Sequence, residues 1–95
     1  MEIVKDGIDL EIEAERKRQD AKWGEQNHDP FVWVTILTEE VGEAAQASLE
    51  ARFGKGSTDS YREELIQVAA VAKSMVECLD RGKWEWPPAR TSGAV

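Results

Sequence analysis

Two acidic runs stand out: Glu39-Glu40-Val41-Gly42-Glu43, and Arg62-Glu63-Glu64-Leu65-Ile66-Gln67 about twenty residues later. Several carboxylates gathered at one point form the ligand set of a hard divalent cation. On a helix turning about 100° per residue, Trp33, Ile36, Leu37, Ala44 and Ala47 share one stripe, and Glu40 lies inside it, about 20° from Trp33. Glu43 falls at the edge of that stripe, on the side of Ile36, and Glu39 lies further round the same way. A carboxylate directed at an apolar face is costly to desolvate unless it is paired or binds a metal. In the second run, Tyr61, Leu65, Val68, Ala69, Ala72, Val76 and Leu79 make the main stripe. Glu64 borders it on the side of Val71 and Met75, with Gln67 one turn further along. Two antiparallel helices can therefore bring Glu40, Glu43 and Glu64 into one pocket, where waters and phosphate oxygens complete an octahedron about Mg²⁺. The competing reading is plain: a single Glu-x-x-Glu on a helix is most often a solvated face. The central position of Glu40 and the presence of a second acidic helix weigh against it.

Three segments with helical apolar spacing carry these residues, separated by short proline- and glycine-bearing breaks. The first spans about Asp9 to Trp23, is highly charged, and has a weak apolar face that must lean on other elements. The second opens at Asp29, a capping residue, with Pro30 at the first helical position, and runs to about Phe53 before Gly54-Lys55-Gly56. The third starts between Ser57 and Ser60, where Ser60 and Glu63 have capping-box spacing, and ends near Asp80-Arg81-Gly82. The expected fold is all-α: a helical domain over residues 1–82, followed by an extended tail over residues 83–95. That tail holds Trp84, Trp86, Pro87 and Pro88, which can pack on the domain or on a neighbouring subunit.

Ninety-five residues suffice for one domain with a modest core, which burial in an oligomer would reinforce. A net charge of −7 argues against nucleic acid or an anionic membrane as the main partner. One cysteine, Cys78, and one histidine, His28, leave neither an internal disulfide nor a Cys/His zinc site. The charged stretch Met1–Leu10 has no apolar signal-peptide core, and no segment approaches the length of a bilayer span, so the expected location is cytoplasmic.

The run Glu39 to Ala47 followed by Arg62 to Ala72, with Glu15-Arg16-Lys17-Arg18-Gln19-Asp20-Ala21-Lys22-Trp23-Gly24-Glu25-Gln26-Asn27-His28 ahead of them, resembles the MazG-like all-α nucleotide pyrophosphohydrolases of phages and bacteria. The resemblance covers roughly Asp9 to Gly82 and rests on order and spacing together. It implies a helical bundle completed by dimerisation, often into tetramers. It also implies Mg²⁺-dependent cleavage of nucleoside triphosphates to a monophosphate and pyrophosphate, with Mn²⁺ as a substitute metal. The family's Glu-Glu-x-x-Glu is complete in Glu39, Glu40 and Glu43. Of its second element, Glu-x-x-Asp, Glu64 matches the glutamate, whereas Gln67 stands at the aspartate. An amide oxygen ligates a hard cation without bringing charge, so the metal should bind less tightly. By this resemblance Glu40, Glu43, Glu64 and Gln67 are the metal set, and Glu39 and Glu40 the catalytic carboxylates, Glu39 as base or outer partner. The alternative is a non-catalytic helical module that senses a nucleotide or only oligomerises.

Arg16, Lys17, Arg18 and Lys22 form a basic run beside Trp23. They can meet triphosphate oxygens while Trp23 stacks a base, or pair with Glu11, Glu13 and Glu15 on their own helix. Lys22 and Trp23, next to the loop, are favoured for a ligand. His28 can contact base or sugar, or help cap the second helix. Trp33 reads as core or interface rather than ligand, Lys55 as a solvated loop lysine, and Cys78 as a small buried hydrophobe. Glu77-Cys78-Leu79-Asp80 repeats the Glu-x-x-Asp spacing about 20 Å along the helix from Glu64, which suits a helix end or a contribution across an interface.

Overall fold

The computed structural model describes residues 2–89 and contains three helices: α1 (Glu2–Trp23), α2 (Pro30–Phe53) and α3 (Thr58–Arg81). No strand occurs among the described residues, and no helix is long and apolar enough to cross a membrane. The all-α expectation holds.

The helix ends follow from local chemistry. Asp29 accepts hydrogen bonds from the backbone N–H of Phe31 (2.8 Å) and Val32 (3.2 Å), and Pro30 occupies the first turn, where its missing N–H costs nothing. At the start of α3 the cap is Ser57, whose Oγ accepts from Ser60 N–H at 3.2 Å. Ser60 is therefore already inside the helix, and the Ser60/Glu63 pair is not its capping box. α1 and α3 both end on glycines with positive φ, Gly24 (74°) and Gly82 (68°), whose N–H groups bond Asp20 and Cys78 carbonyls. α1 begins at Glu2, a full two turns before the expected Asp9. Gly7 alone only weakens a helix and does not end this one.

α2 and α3 pack along their lengths, and α1 lies against α3. The core is small: Trp33, Val71 and Cys78, flanked by Ile36, Leu37, Met75 and Trp84. α1 joins it mainly through charge. Arg62 pairs with Glu11 through both Nη atoms (2.7 and 2.6 Å), Lys73 with Glu13, and Arg16 with Glu77 (2.5 Å). Of the pairings expected within α1 between the basic run and Glu11, Glu13 and Glu15, only Arg18 with Glu15 forms; Glu11 and Glu13 reach across to α3 instead.

The expected apolar stripe of α3 faces the wrong way for this packing. The buried positions are Ala70, Val71, Ser74 and Cys78, while Leu65, Val76 and Leu79 are exposed. Periodicity identifies an apolar face; it does not say which neighbour that face meets. Residues 83–89 form no regular secondary structure, and their indoles settle on the chain's own domain. Trp84 packs against the core, and Trp86 stands edge-on to Trp84 (5.1 Å) and tilted on Phe31 (5.4 Å).

Candidate metal centre and adjoining cavity

Glu40 and Glu43 lie one turn apart on α2, and α3 brings Glu64 opposite them. One oxygen from each carboxylate lies within 4.8 Å of the others, the only such grouping of metal-capable side chains among the described residues. Glu40 sits on the stripe that buries Trp33 and Ala44, as its angular position requires, and is half-buried with Glu64. Oε2 of Glu40 and Oε2 of Glu64 are buried and have no hydrogen-bond partner. Buried carboxylate oxygens without donors are rare, because each forfeits its hydration uncompensated.

The electrostatics record the crowding. Burial, then the charge of Glu43 and a hydrogen bond shared with it, then Glu64 and Glu15, push the Glu40 carboxyl up to about 7. Glu64 is also raised, by burial first and then by the charges of Glu43 and Glu63. Among the described residues no lysine or arginine charge acts on Glu40 or Glu64; a divalent cation would satisfy the orphaned oxygens and cancel the repulsion together. The donor set, all carboxylate oxygen, suits a hard ion such as Mg²⁺ or Mn²⁺.

The other expected site residues divide. Glu39 is exposed on α2 and outside the cluster. Gln67 is half-buried, but it lines a polar cavity of about 460 Å³ with Glu15, Arg18 and Arg62, towards α1. Arg16 is buried at 6% exposure, and Glu77, Asp20 and Gln19 accept from its guanidinium, so it braces α1 on α3 while lining a further cavity of about 560 Å³. His28 stacks edge-on against Trp33 at 4.9 Å, and its carbonyl accepts from the Cys78 thiol. Lys22 lies over the ring of Trp23, 4.8 Å from its centroid, and both are exposed.

A second cavity, about 270 Å³, begins where Glu40 ends. Gln19 and Trp23 of α1, Gln26 of the following loop, Trp33 and Glu40 of α2 and Ser74 of α3 line it. The buried Nε1 of Trp33 also has no hydrogen-bond partner. Arg81 holds the loop in place, donating to the Asn27 side chain (3.1 and 3.0 Å) and the Gln26 carbonyl (2.9 Å). Gln19, Gln26 and Ser74 were not singled out from the sequence, and Glu15 only as a pairing partner of the basic run. Isolated polar residues leave no periodic signal, and only the fold gathers them.

No protein-family model matches this sequence, and no curated protein or solved structure matches the chain.

Proposed function

We propose that the chain is a divalent-cation-dependent nucleoside triphosphate pyrophosphohydrolase. One observation carries the proposal: in the Glu40–Glu43–Glu64 cluster, with its two orphaned buried oxygens, Glu40 also lines a cavity that it shares with Trp23 and Trp33. The resemblance of the acidic runs to the MazG-like family supports the same reading.

Glu40, Glu43 and Glu64 would hold the cation, which supplies charge neutralisation and an activated water for in-line attack at phosphorus. Three carboxylates repel a triphosphate, so at the cluster itself phosphate oxygens would be held through such an ion. The cavity is slightly smaller than a site that encloses a whole drug-sized ligand. It suits one base, with Trp23 and Trp33 offering ring faces and edges, and Gln19, Gln26 and Ser74 offering hydrogen bonds. Lys22, lying over the Trp23 ring, would offer its ammonium to a phosphate of the bound nucleotide. Glu39, exposed and adjacent in sequence to Glu40, would act as a base or outer partner from outside the ligand set.

The competing reading is a nucleotide sensor that binds without cleaving, and the neutral Gln67 favours it. Release of pyrophosphate from a panel of ribo- and deoxynucleoside triphosphates, with Mg²⁺ or Mn²⁺ and beside Glu40→Gln, separates the two. Metal-dependent release that the substitution abolishes is expected. Binding of a nucleotide with no release from any member of the panel would establish the sensor.

A further inference from the structure

Val71, Ser74 and Cys78 share the face of α3 that the fold buries, and Ser74 is the odd member by type. Among the described residues, Arg16 and Ser74 are the two polar or charged ones that are buried. Arg16 is neutralised by Asp20 and Glu77. Ser74 is 7% exposed, and no group among the described residues hydrogen-bonds its hydroxyl. Thr35, Thr38 and Ser48 each donate instead to a carbonyl one turn back on their own helix. A hydroxyl taken from water without a partner is a cost that alanine, smaller and a better helix former, avoids. A residue that breaks the pattern of its own element marks a candidate site.

The surroundings give that hydroxyl a use. Ser74 lines the cavity of about 270 Å³ beside Glu40 and also the cavity of about 560 Å³ bounded by Arg16, Glu77 and Arg81. Gln26 is the one other residue common to both linings, so Ser74 of α3 and Gln26 of the α1–α2 loop stand between the two cavities. Arg81 holds the Gln26 carbonyl at 2.9 Å, while no group among the described residues bonds the Gln26 side-chain amide. A hydroxyl and a primary amide can each donate and accept. Together they give the cavity that holds Trp23 and Trp33 an adaptable polar wall.

We infer that Ser74 is a specificity-determining residue of this site: its hydroxyl, with the Gln26 amide, hydrogen-bonds the polar edge of the base of a bound nucleotide. The inference rests on the reading that the Glu40–Glu43–Glu64 cluster and its cavity take a nucleoside triphosphate. A base laid against an indole keeps its ring edge free for such bonds. In a site closed to water each bond also discriminates, because a base with the wrong edge leaves the hydroxyl and the amide unpaired.

The test compares the full chain with Ser74→Ala and Ser74→Thr across the ribo- and deoxynucleoside triphosphates with Mg²⁺. It reads KM and kcat, or the equilibrium Kd if nothing is cleaved, beside thermal melts without nucleotide. Ser74→Ala should raise KM for the preferred triphosphate about three- to tenfold with kcat little changed, the loss of one neutral hydrogen bond made to the ligand. It should also narrow the preference between bases. Its melting temperature without nucleotide should not fall, because no bond is lost in the free protein, and the Mg²⁺ shift should persist because the three carboxylates are untouched. Ser74→Thr, which keeps the hydroxyl, should stay closer to the parent chain in KM and base preference. Unchanged KM and base preference in Ser74→Ala would overturn the inference and leave the nucleotide reading standing. A lower melting temperature that Ser74→Thr restores would do the same, by marking a structural hydroxyl. A parent chain that neither binds nor cleaves any triphosphate would overturn both.

Discussion

Glu40 is the residue at which a structural cost and a binding capacity coincide. With its carboxyl pushed up to about 7, from an ordinary value of 4.5, the folded protein holds a proton there that the unfolded chain gives up near pH 4.5. The favourable contribution is thus complete below pH 4.5 and disappears as pH rises through 7. Above that, the metal-free fold carries a penalty on the order of 2 kcal/mol, after discounting for partial exposure of the group. Metal-free protein should therefore melt at a lower temperature at pH 8 than at pH 5.5, and Glu40→Gln should remove much of the difference. A bound cation requires the ionised form, so millimolar Mg²⁺ should raise the melting temperature more at pH 8 than at pH 5.5. Equal Mg²⁺ shifts at both pH values, or an undiminished shift in Glu40→Gln, would remove Glu40 from the ligand set.

Among the elements, helix ends were readable because capping is local: Asp29-Pro30 and Gly82 act through atoms a few residues away. α3 shows where that reading stops. Four candidates, Ser57 to Ser60, stood before its first turn, and only the backbone decides which hydroxyl meets an orphan N–H. Ser57→Ala should cost about 1 kcal/mol of stability and Ser60→Ala only a few tenths, compared by denaturant midpoints at constant m-value. Asp29→Ala should cost at least as much as Ser57→Ala, because its carboxylate meets two N–H groups at a dipole end that favours negative charge. Equal losses for the two serines would return the capping role to Ser60. The three-carboxylate cluster was legible for a related reason, since helical angle alone placed Glu40 on the buried stripe. The adjoining cavity was not, because Gln19, Gln26 and Ser74 come from three elements and match no period. Trp33 was read correctly as core, but nothing in sequence distinguishes a satisfied indole N–H from the unpartnered one found here.

At the scale of the whole molecule, the two helix pairings rest on different physics. α2 and α3 share the apolar core and, by proposal, a cation between them. α1 leans on α3 through Glu11–Arg62, Glu13–Lys73 and Arg16–Glu77, while its own Leu10 stays 70% exposed. Exposed ion pairs contribute roughly 0–1 kcal/mol each and are screened within about 10 Å at 0.1 M salt, so α1 should be the first element to detach. Arg16 is the exception, buried and multiply bonded, which anchors the C-terminal half of α1 next to the cavity and leaves the N-terminal half less secured. Amide hydrogen exchange should therefore be fastest in the first half of α1, slower from Arg16 to Trp23, and slowest around Val71 and Cys78. Molar NaCl should accelerate exchange in α1 several-fold without touching the slow amides of α3, and Mg²⁺ should slow α2 and α3 together. Uniform protection across all three helices, unaffected by salt, would mean that α1 belongs to the same cooperative unit as the hairpin and that its ion pairs are not what holds it.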